Sequence, residues 1–346
     1  MRFATTFLVP LLAIALLVSD ALATDGDEAR RAYDTMHCGQ GCPDIDGKLD
    51  DPCWELVDWA TDFTQWRPDE GEPPSQQTAF KVLYDDQHLY LAYRAYDNEP
   101  EKIEERLARR DWFPGDWVEV NIDSYNDNLT AYSFTASVSG VRGDEFISND
   151  GSNWDGSWDP VWNFKAATDS EGWTAEVRIP LSQLRYQSSA EQTWGLQVQR
   201  RVFREEERSL WQPKKQTESG WVSRFGELRG LVGLPTQRRV ERLPYSVSKF
   251  EDFRAADGDP FSDGSDGALA LGLDGKVGLS SNLTMDFTIN PDFGQVEADP
   301  SQLNLSAFET FFQEKRPFFI EGSDILEFRV APAVTGGRNT RDMLFY

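Results

Sequence analysis

The sequence predicts an all-β protein, and three observations support this prediction. Short runs alternate between apolar and polar residues, as half-buried strands do. Aromatic residues make up 13% of the chain, and valine and threonine recur in the same runs, which favours strands. Clusters of Gly, Asn and Asp separate the runs, without the longer spacing that a βαβ unit needs. Together these features are typical of an antiparallel, jelly-roll-like β-sandwich.

Residues 1–23 resemble a signal peptide. Arg2 precedes the apolar run Phe7–Val18, which is too short for a transmembrane helix, and Ala21-Leu22-Ala23 is an A-x-A cleavage site. We therefore expect an exported protein. Residues 24–43 are polar, carry no hydrophobic period and are predicted to be a flexible lead-in.

The three cysteines are Cys38, Cys42 and Cys53. In an oxidising compartment two of them can pair, but the sequence leaves the pairing open. A zinc site is the alternative; it would need a fourth ligand, and only His37 is near.

The sandwich is predicted to span residues 44–235, with Trp54 as its first core anchor. Asp85-Asp86-Gln87 predicts a hairpin turn, Glu101–Arg110 a short helix, and Pro180–Leu184 a turn or short helical piece. Trp194, Leu196 and Val198 form one further inward-facing set. The clearest alternating segments are predicted to be strands, and they are Phe80–Tyr84, Leu89–Tyr96, Trp117–Asp123, Tyr132–Val138 and Trp173–Ile179.

The pattern changes towards the C-terminus. Residues 236–262 are charged and irregular and are predicted to be a linker. From Gly267, leucines alternate with small residues, and very short turns such as Ser280-Ser281-Asn282 join the runs. Residues 263–346 therefore predict the first strands of an outer-membrane β-barrel. Even the smallest barrels need about eight strands, so either this barrel is truncated, which we favour, or the tail is something else.

Several stretches together resemble the family-nine carbohydrate-binding modules first described in xylanases, and the tail resembles the start of an outer-membrane β-barrel domain of unknown function that follows such modules. The tail in question is INPDFGQVEADPSQLNLSAFETFFQEKRPFFIEG. The module-like stretches are DGKLDDPCW, VLYDDQHLYLAYRAYD, DWVEVNIDSYND, AYSFTASVSGV, WDPVW, GWTAEVRIPLSQLRY and TWGLQVQR. The resemblance implies a β-sandwich, sugar binding, often bound calcium, and an accessory role beside a separate catalytic domain.

The stretch Asp150–Phe164 holds three of the twelve tryptophans. If Trp158–Phe164 is a strand, Trp158, Trp162 and Phe164 share an apolar face and belong to the core. Trp154 lies among small polar residues, so it is expected in a loop, where tryptophan is more often exposed.

The predicted ring-stacking residues for a sugar are Trp112, Trp117 and Trp154. Trp112 is expected in a loop, and Trp117 points away from the core face of its strand. The alternative for each ring is packing beneath a neighbouring loop or against the barrel. Polar side chains near these rings are candidate hydrogen-bonding partners of the sugar, and they are Glu119, Asn121, Asn153, Asp155 and Arg201.

Asp123, Asn126 and Asp127 offer oxygen ligands within one turn, as calcium prefers, although an ordinary polar hairpin turn has the same composition. The sequence contains no recognised catalytic motif. An O-glycosyl hydrolase stays an alternative because this class of enzyme needs just two carboxylates.

The net charge of −25 makes nucleic acid a poor partner. We therefore expect an exported module that binds a poly- or oligosaccharide in carbohydrate catabolism or uptake. Its C-terminal part would lie in the outer membrane, with the sandwich periplasmic or surface-exposed. The alternative is a structural partner of the barrel without sugar binding.

Overall fold

The computed structural model describes residues 30–187, 189–235, 240–252, 264–280 and 283–290. The predicted signal peptide, and the predicted barrel beyond residue 290, lie outside these residues. No helix in the described part of the chain is long and apolar enough to cross a membrane.

The described chain is all-β, as predicted. Short 3-10 helices lie at Pro52–Leu56, Pro100–Lys102, Asn149–Gly151, Leu181–Gln183, Phe203–Glu205 and Val222–Arg224. The strands are β1 Ala32–Asp34, β2 Met36–His37, β3 Thr64–Arg67, β4 Thr78–Tyr84, β5 His88–Tyr96, β6 Trp117–Asp123, β7 Ala131–Ser137, β8 Arg142–Ser148, β9 Asn153–Asp155, β10 Asn163–Asp169, β11 Gly172–Pro180, β12 Glu191–Val202, β13 Glu207–Leu210, β14 Gly226–Val232, β15 Val240–Asp252, β16 Ser265–Ser280 and β17 Leu283–Ile289.

The strands form three sheets. A nine-stranded sheet has the order β1-β14-β12-β6-β7-β8-β9, with β13 and β3 added beside β12. A five-stranded sheet has the order β10-β11-β5-β4-β2, and β15-β16-β17 form a third, antiparallel sheet. The first two sheets share one hydrophobic core, which is the sandwich arrangement that the alternation predicts.

The core confirms the alternation of the predicted strands. Leu89, Leu91, Tyr93 and Ala95 on β5 are all buried, as are alternate apolar residues of β7 and β11 and the predicted inward-facing set Trp194, Leu196 and Val198 of β12. Each set follows the two-residue period of a strand, so one face of each of these strands packs between the sheets. Trp54 is a core residue as expected.

Three predictions around the sandwich need correction. The lead-in is not flexible throughout, because Ala32–Asp34 forms β1, which runs parallel to β14, and Tyr33 is buried. Glu101–Arg110 forms no helix beyond the 3-10 turn at its start. The predicted linker 236–262 contains β15, which pairs with β16 along its whole length. In the first case pairing with a distant strand, and in the third case pairing with the next strand of the chain, supplies an order that local composition does not reveal.

The prediction for the stretch around Trp158 is confirmed in part. Trp158 and Trp162 are core residues, as predicted, but the strand starts only at Asn163. The rings pack against Phe134 at centroid distances of 5.6 and 5.4 Å. Aromatic packing therefore buries this segment without a ladder of strand hydrogen bonds.

Both faces of the central strands are buried. All residues of β6 and β7 are buried, including those on the face turned away from the five-stranded sheet. We call this second face the outer face. The loop that follows β13 covers part of it, and Ala131, Ile147 and Leu210 pack there with Trp221, Val222 and Phe225. A covered polar face is the setting for the candidate site.

Candidate functional site

A hydrogen-bonded polar network occupies the outer face. Cross-strand pairing places Gln199, Glu119 and Thr135 side by side on β12, β6 and β7. The Glu119 carboxylate accepts hydrogen bonds from the side chains of Asn121, Thr135 and Gln199. The network is therefore rigid, because a buried carboxylate with three donors has little freedom to move.

Trp221 is held over this network by a side chain from the opposite edge of the sheet. The Trp221 Nε1 donates to Asn121 Oδ1 at 2.8 Å. Asp150 Oδ1 accepts from the backbone N–H groups of Trp221 and Ser223 at 2.9 and 2.8 Å, and Oδ2 accepts from the Ser223 hydroxyl at 2.7 Å. Asp150 thus fixes the loop that carries the ring.

Three tryptophans converge on one open space beside this loop. The Trp221 ring centroid lies 5.8 Å from that of Trp66 and 6.2 Å from that of Trp154. Trp154 Nε1 donates to the Gly151 carbonyl at 3.0 Å, which orients its ring. The space measures about 300 Å³, and we call it the aromatic cavity. It is lined by Trp66, Asp150, Gly151, Ser152, Trp154, Gln199, Arg208, Gly220 and Trp221.

Polar groups without a partner line the same cavity. Trp66 Nε1 and Gln199 Oε1 are buried and have no hydrogen-bond partner among the described residues. Because the Glu119 carboxylate only accepts, the Gln199 amide nitrogen faces it and the amide oxygen stays unpaired. The Arg208 guanidinium lies 5.0 Å from the centroid of the Trp117 ring, and burial lowers the Arg208 pKa. Buried polar atoms without a partner are uncommon, and two of those in the described chain belong to residues that line this cavity.

The predicted stacking residues separate into three situations. Trp154 lines the aromatic cavity and is 36% exposed. Trp112 is 68% exposed but does not line that cavity. The prediction of Trp117 as a stacking ring needs correction: the ring is on the outer face as expected, but Arg208 covers it and it is buried.

The polar residues predicted to bind a sugar instead contact other residues of the protein. Glu119 and Asn121 belong to the buried network and reach the cavity only through Gln199 and Trp221. Asp155 Oδ1 accepts from the backbone and hydroxyl of Ser157. The two remaining residues are Asn153, which donates to Ser148 at 3.3 Å, and Arg201, whose guanidinium lies 5.1 Å from the Phe203 ring centroid.

Sequence reasoning missed Trp66, Trp221, Gln199 and Arg208 as cavity residues. For Trp221 a signal existed, since Ser219-Gly220-Trp221 has the loop composition that singled out Trp154. Trp66 lies directly before a Pro-rich loop. Nothing local marks Arg208 or Gln199, because both reach the cavity only through strand pairing.

The predicted calcium turn is already hydrogen-bonded. Asp123 accepts from the backbone N–H groups of Asp127 and Asn128, and Asp127 accepts from those of Leu129 and Thr130. Burial raises the Asp123 pKa to about 6. An ion would have to use the remaining carboxylate lone pairs or displace these N–H groups, so the turn as it stands is a poor fit.

The cysteines form one disulfide. Cys38 and Cys42 are bonded, and Cys53 is a buried free thiol. In the described chain the sole cluster with metal-ligand spacing combines these two bonded cysteines with Asp85. Disulfide sulfurs are not thiolate ligands, so this pairing removes the zinc alternative.

Two family models match the chain. The family described as carbohydrate family 9 binding domain-like matches residues 45–227. A domain of unknown function (DUF5916) matches residues 236–329, directly after it. No curated protein sequence matches the chain.

Solved structures similar to the chain include a family 9 carbohydrate-binding module from Caldicellulosiruptor kristjanssonii. Its complex with cellotriose is 18% identical, with a TM-score of 0.42, over 57% of this chain and 93% of that one. Its complex with glucose is 18% identical, with a TM-score of 0.44, over 57% and 95%. A protein from Bacteroides uniformis is 11% identical, with a TM-score of 0.46, over 57% and 97%.

Proposed function

The chain belongs to the carbohydrate family 9 binding domain-like family through residues 45–227, and on this premise we propose that its aromatic cavity binds a carbohydrate. The observation that carries the proposal is the convergence of three tryptophan rings with unpaired polar groups on one space of about 300 Å³. Flat rings accept the apolar face of a sugar, and the polar groups accept and donate to its hydroxyls.

The energetics require both kinds of contact. One indole face that covers about 60 Å² of sugar contributes about 1.5 kcal/mol, at about 25 cal/mol per Å². Micromolar binding needs about 8 kcal/mol, so ring contacts alone fall short. The unpaired Trp66 Nε1 and Gln199 Oε1, together with the Arg208 guanidinium, supply the hydrogen bonds that the ring faces cannot.

Calorimetric titration of the protein against a panel of neutral and acidic oligosaccharides tests the proposal. We expect at least one glycan to bind with a dissociation constant below the millimolar range, with quenching of tryptophan fluorescence. Absence of binding to every glycan at millimolar concentration would leave the structural alternative, in which the rings serve only packing.

We further propose a setting for this activity: carbohydrate catabolism or oligosaccharide uptake at the outer membrane, with an exported sandwich that is periplasmic or surface-exposed. The predicted signal peptide and the barrel-like alternation after residue 263 support this setting. Cell fractionation, with protease treatment of intact cells, tests it. Recovery of the protein in the cytoplasm would contradict it.

A glycoside hydrolase is a second candidate because of one carboxyl group. Burial, together with the nearby Glu119 carboxylate, raises the Glu145 pKa to about 7, which suits a general acid. The test is turnover of chromogenic glycosides by the wild type and by Glu145→Gln. Turnover that the substitution leaves unchanged, or no turnover at all, would dismiss this candidate.

Calcium at Asp123, Asn126 and Asp127 remains a proposal that rests on the resemblance and on the oxygen-rich turn. An ion bound only by the folded state raises the melting temperature. The test compares thermal unfolding in millimolar calcium with unfolding in chelator. Identical melting temperatures would count against the site.

A further inference from the structure

A second cavity, of about 920 Å³, adjoins the aromatic cavity and shares Trp66 with it. Five basic side chains line it against two acidic ones, so we call it the basic cavity. The basic residues are Arg30, Arg31, Lys214, Lys215 and Arg224, and the acidic residues are Glu70 and Glu218.

The composition of this lining reverses that of the chain. The whole chain has 34 basic against 59 acidic side chains, so the charged residues of a lining drawn at random would be mostly acidic. Folding instead gathers basic residues from the N-terminal segment and from the loop after β13 around one space. A local excess of positive charge in so acidic a chain indicates a site for an anion.

Neither Lys214 nor Arg30 forms a salt bridge with a carboxylate of the described chain. Lys214 Nζ donates to the backbone carbonyls of Lys215 and Glu218 at 3.2 and 2.6 Å. Arg30 donates to Asn128 Oδ1 at 3.3 Å and to the Ser223 carbonyl at 2.8 Å. These neutral partners position the cations and leave their charge available to a ligand.

The two cavities are parts of one surface. Gln216 Nε2 donates to the Trp66 carbonyl at 2.7 Å, which holds the lysine-bearing loop against β3. The same loop continues to Gly220 and Trp221, which line the aromatic cavity. A saccharide unit on Trp66 therefore has the aromatic cavity on one side and the basic cavity on the other.

We propose that the basic cavity binds the acidic group of an anionic saccharide, a uronate carboxylate or a sulfate ester, while a neighbouring unit occupies the aromatic cavity. This inference rests on the proposed function. The chain's overall negative charge repels an anion at long range, but at 0.15 M ionic strength charges beyond about 8 Å are largely screened. The local cations therefore decide the interaction.

The experiment compares oligosaccharides that differ in one substituent. Glucose- and galactose-based trisaccharides are titrated beside counterparts whose C6 is a carboxylate or carries a sulfate ester, all at 0.15 M salt. We expect one class of acidic trisaccharide to bind about tenfold more tightly than its neutral parent, a preference of about 1.4 kcal/mol that shrinks in 1 M salt. Preference for the uronate or for the sulfate identifies the group.

Two substitutions connect the preference to the basic cavity. Lys215→Glu, at an exposed position, should weaken acidic binding about fivefold and leave neutral binding unchanged, and Lys214→Gln should act in the same direction. Lys165→Glu is the control. This exposed residue of β10 lies in the five-stranded sheet, and the substitution makes the same charge change as Lys215→Glu but should alter neither acidic nor neutral binding.

The outcomes separate this inference from the proposed function. Equal binding of neutral and acidic sugars, or an acidic preference that neither lysine substitution changes, overturns the inference and leaves carbohydrate binding intact. Absence of binding to every sugar overturns both.

Discussion

Glu145 lies on the outer face, opposite Ser133 of β7, and none of the described residues donates a side-chain hydrogen bond to it. Burial and the Glu119 carboxylate raise its pKa from 4.5 to about 7. The folded state therefore holds the proton more tightly than the unfolded state does. Ionising Glu145 as the pH rises from about 4.5 to 7 costs stability, and this loss persists above pH 7.

We expect the stability advantage of Glu145→Gln over the wild type to grow by about 2 kcal/mol from pH 5 to pH 8. The wild-type carboxyl group ionises over this range, whereas the amide cannot. Urea unfolding at both pH values measures the difference. Glu101→Gln, at an exposed position, is the control and should show no such change. A wild type and variant that shift equally with pH would contradict the prediction.

Trp154 and Trp112 separate exposure from binding. Both rings are exposed, Trp112 in a loop and Trp154 on the short strand β9, but of the two only Trp154 lines the aromatic cavity. We expect Trp154→Ala to weaken binding of a glycan about tenfold, the size of one lost ring contact, and Trp112→Ala to leave it unchanged. Calorimetric titration of the two variants checks this. Equal losses would place the sugar elsewhere.

At the scale of elements, the loop after β13 depends on one carboxylate. Asp150 has a φ of 55°, and its carboxylate accepts hydrogen bonds from the backbone N–H groups of Trp221 and Ser223. These bonds hold the Asp150 pKa below its ordinary value despite burial. The turn at Asp150 therefore connects the far edge of the sheet to the loop that closes the aromatic cavity.

Asp150→Ala should lower the free energy of unfolding by about 2 kcal/mol, because it leaves buried N–H groups unpaired, and should weaken glycan binding as Trp221 moves. Urea unfolding and titration measure both effects. Asp155→Ala is the matched control: this carboxylate caps only its own turn at Ser157, so binding should stay near the wild-type value. Unaltered binding in Asp150→Ala would show that the loop holds its place without this residue.

At the scale of the whole molecule, the N-terminal segment joins the two sheets of the sandwich. β1 pairs with β14 of the nine-stranded sheet, and β2 pairs with β4 of the five-stranded sheet. Tyr33 of β1 is buried, and its hydroxyl donates a hydrogen bond to the Asp58 carbonyl and accepts one from the Val82 N–H. The sandwich therefore begins before residue 44.

A chain of residues 30–235 should be more stable than one of residues 44–235 by at least about 3 kcal/mol, the usual cost of deleting one buried aromatic residue. Urea unfolding of the two chains tests this, with Tyr33→Ala in the longer chain as the companion variant. Equal stability would restore the predicted boundary at residue 44.

By itself the sequence determined the all-β class, the hairpin at Asp85-Asp86-Gln87, and the burial of Trp158 and Trp162. It also determined both ends of β6, Trp117 and Asp123. Each depends on a two-residue period or a turn composition that neighbouring residues carry. The predicted placement of Trp154 in a loop was wrong, because the residue lies on the short strand β9, although the ring is exposed as expected. Only the tertiary structure decided that β1 is part of a sheet, that Trp117 is covered, and that Trp66, Trp221, Gln199 and Arg208 meet in one cavity. The physical reason is that strand pairing and loop coverage join residues far apart in the chain, and no local pattern records which ones meet.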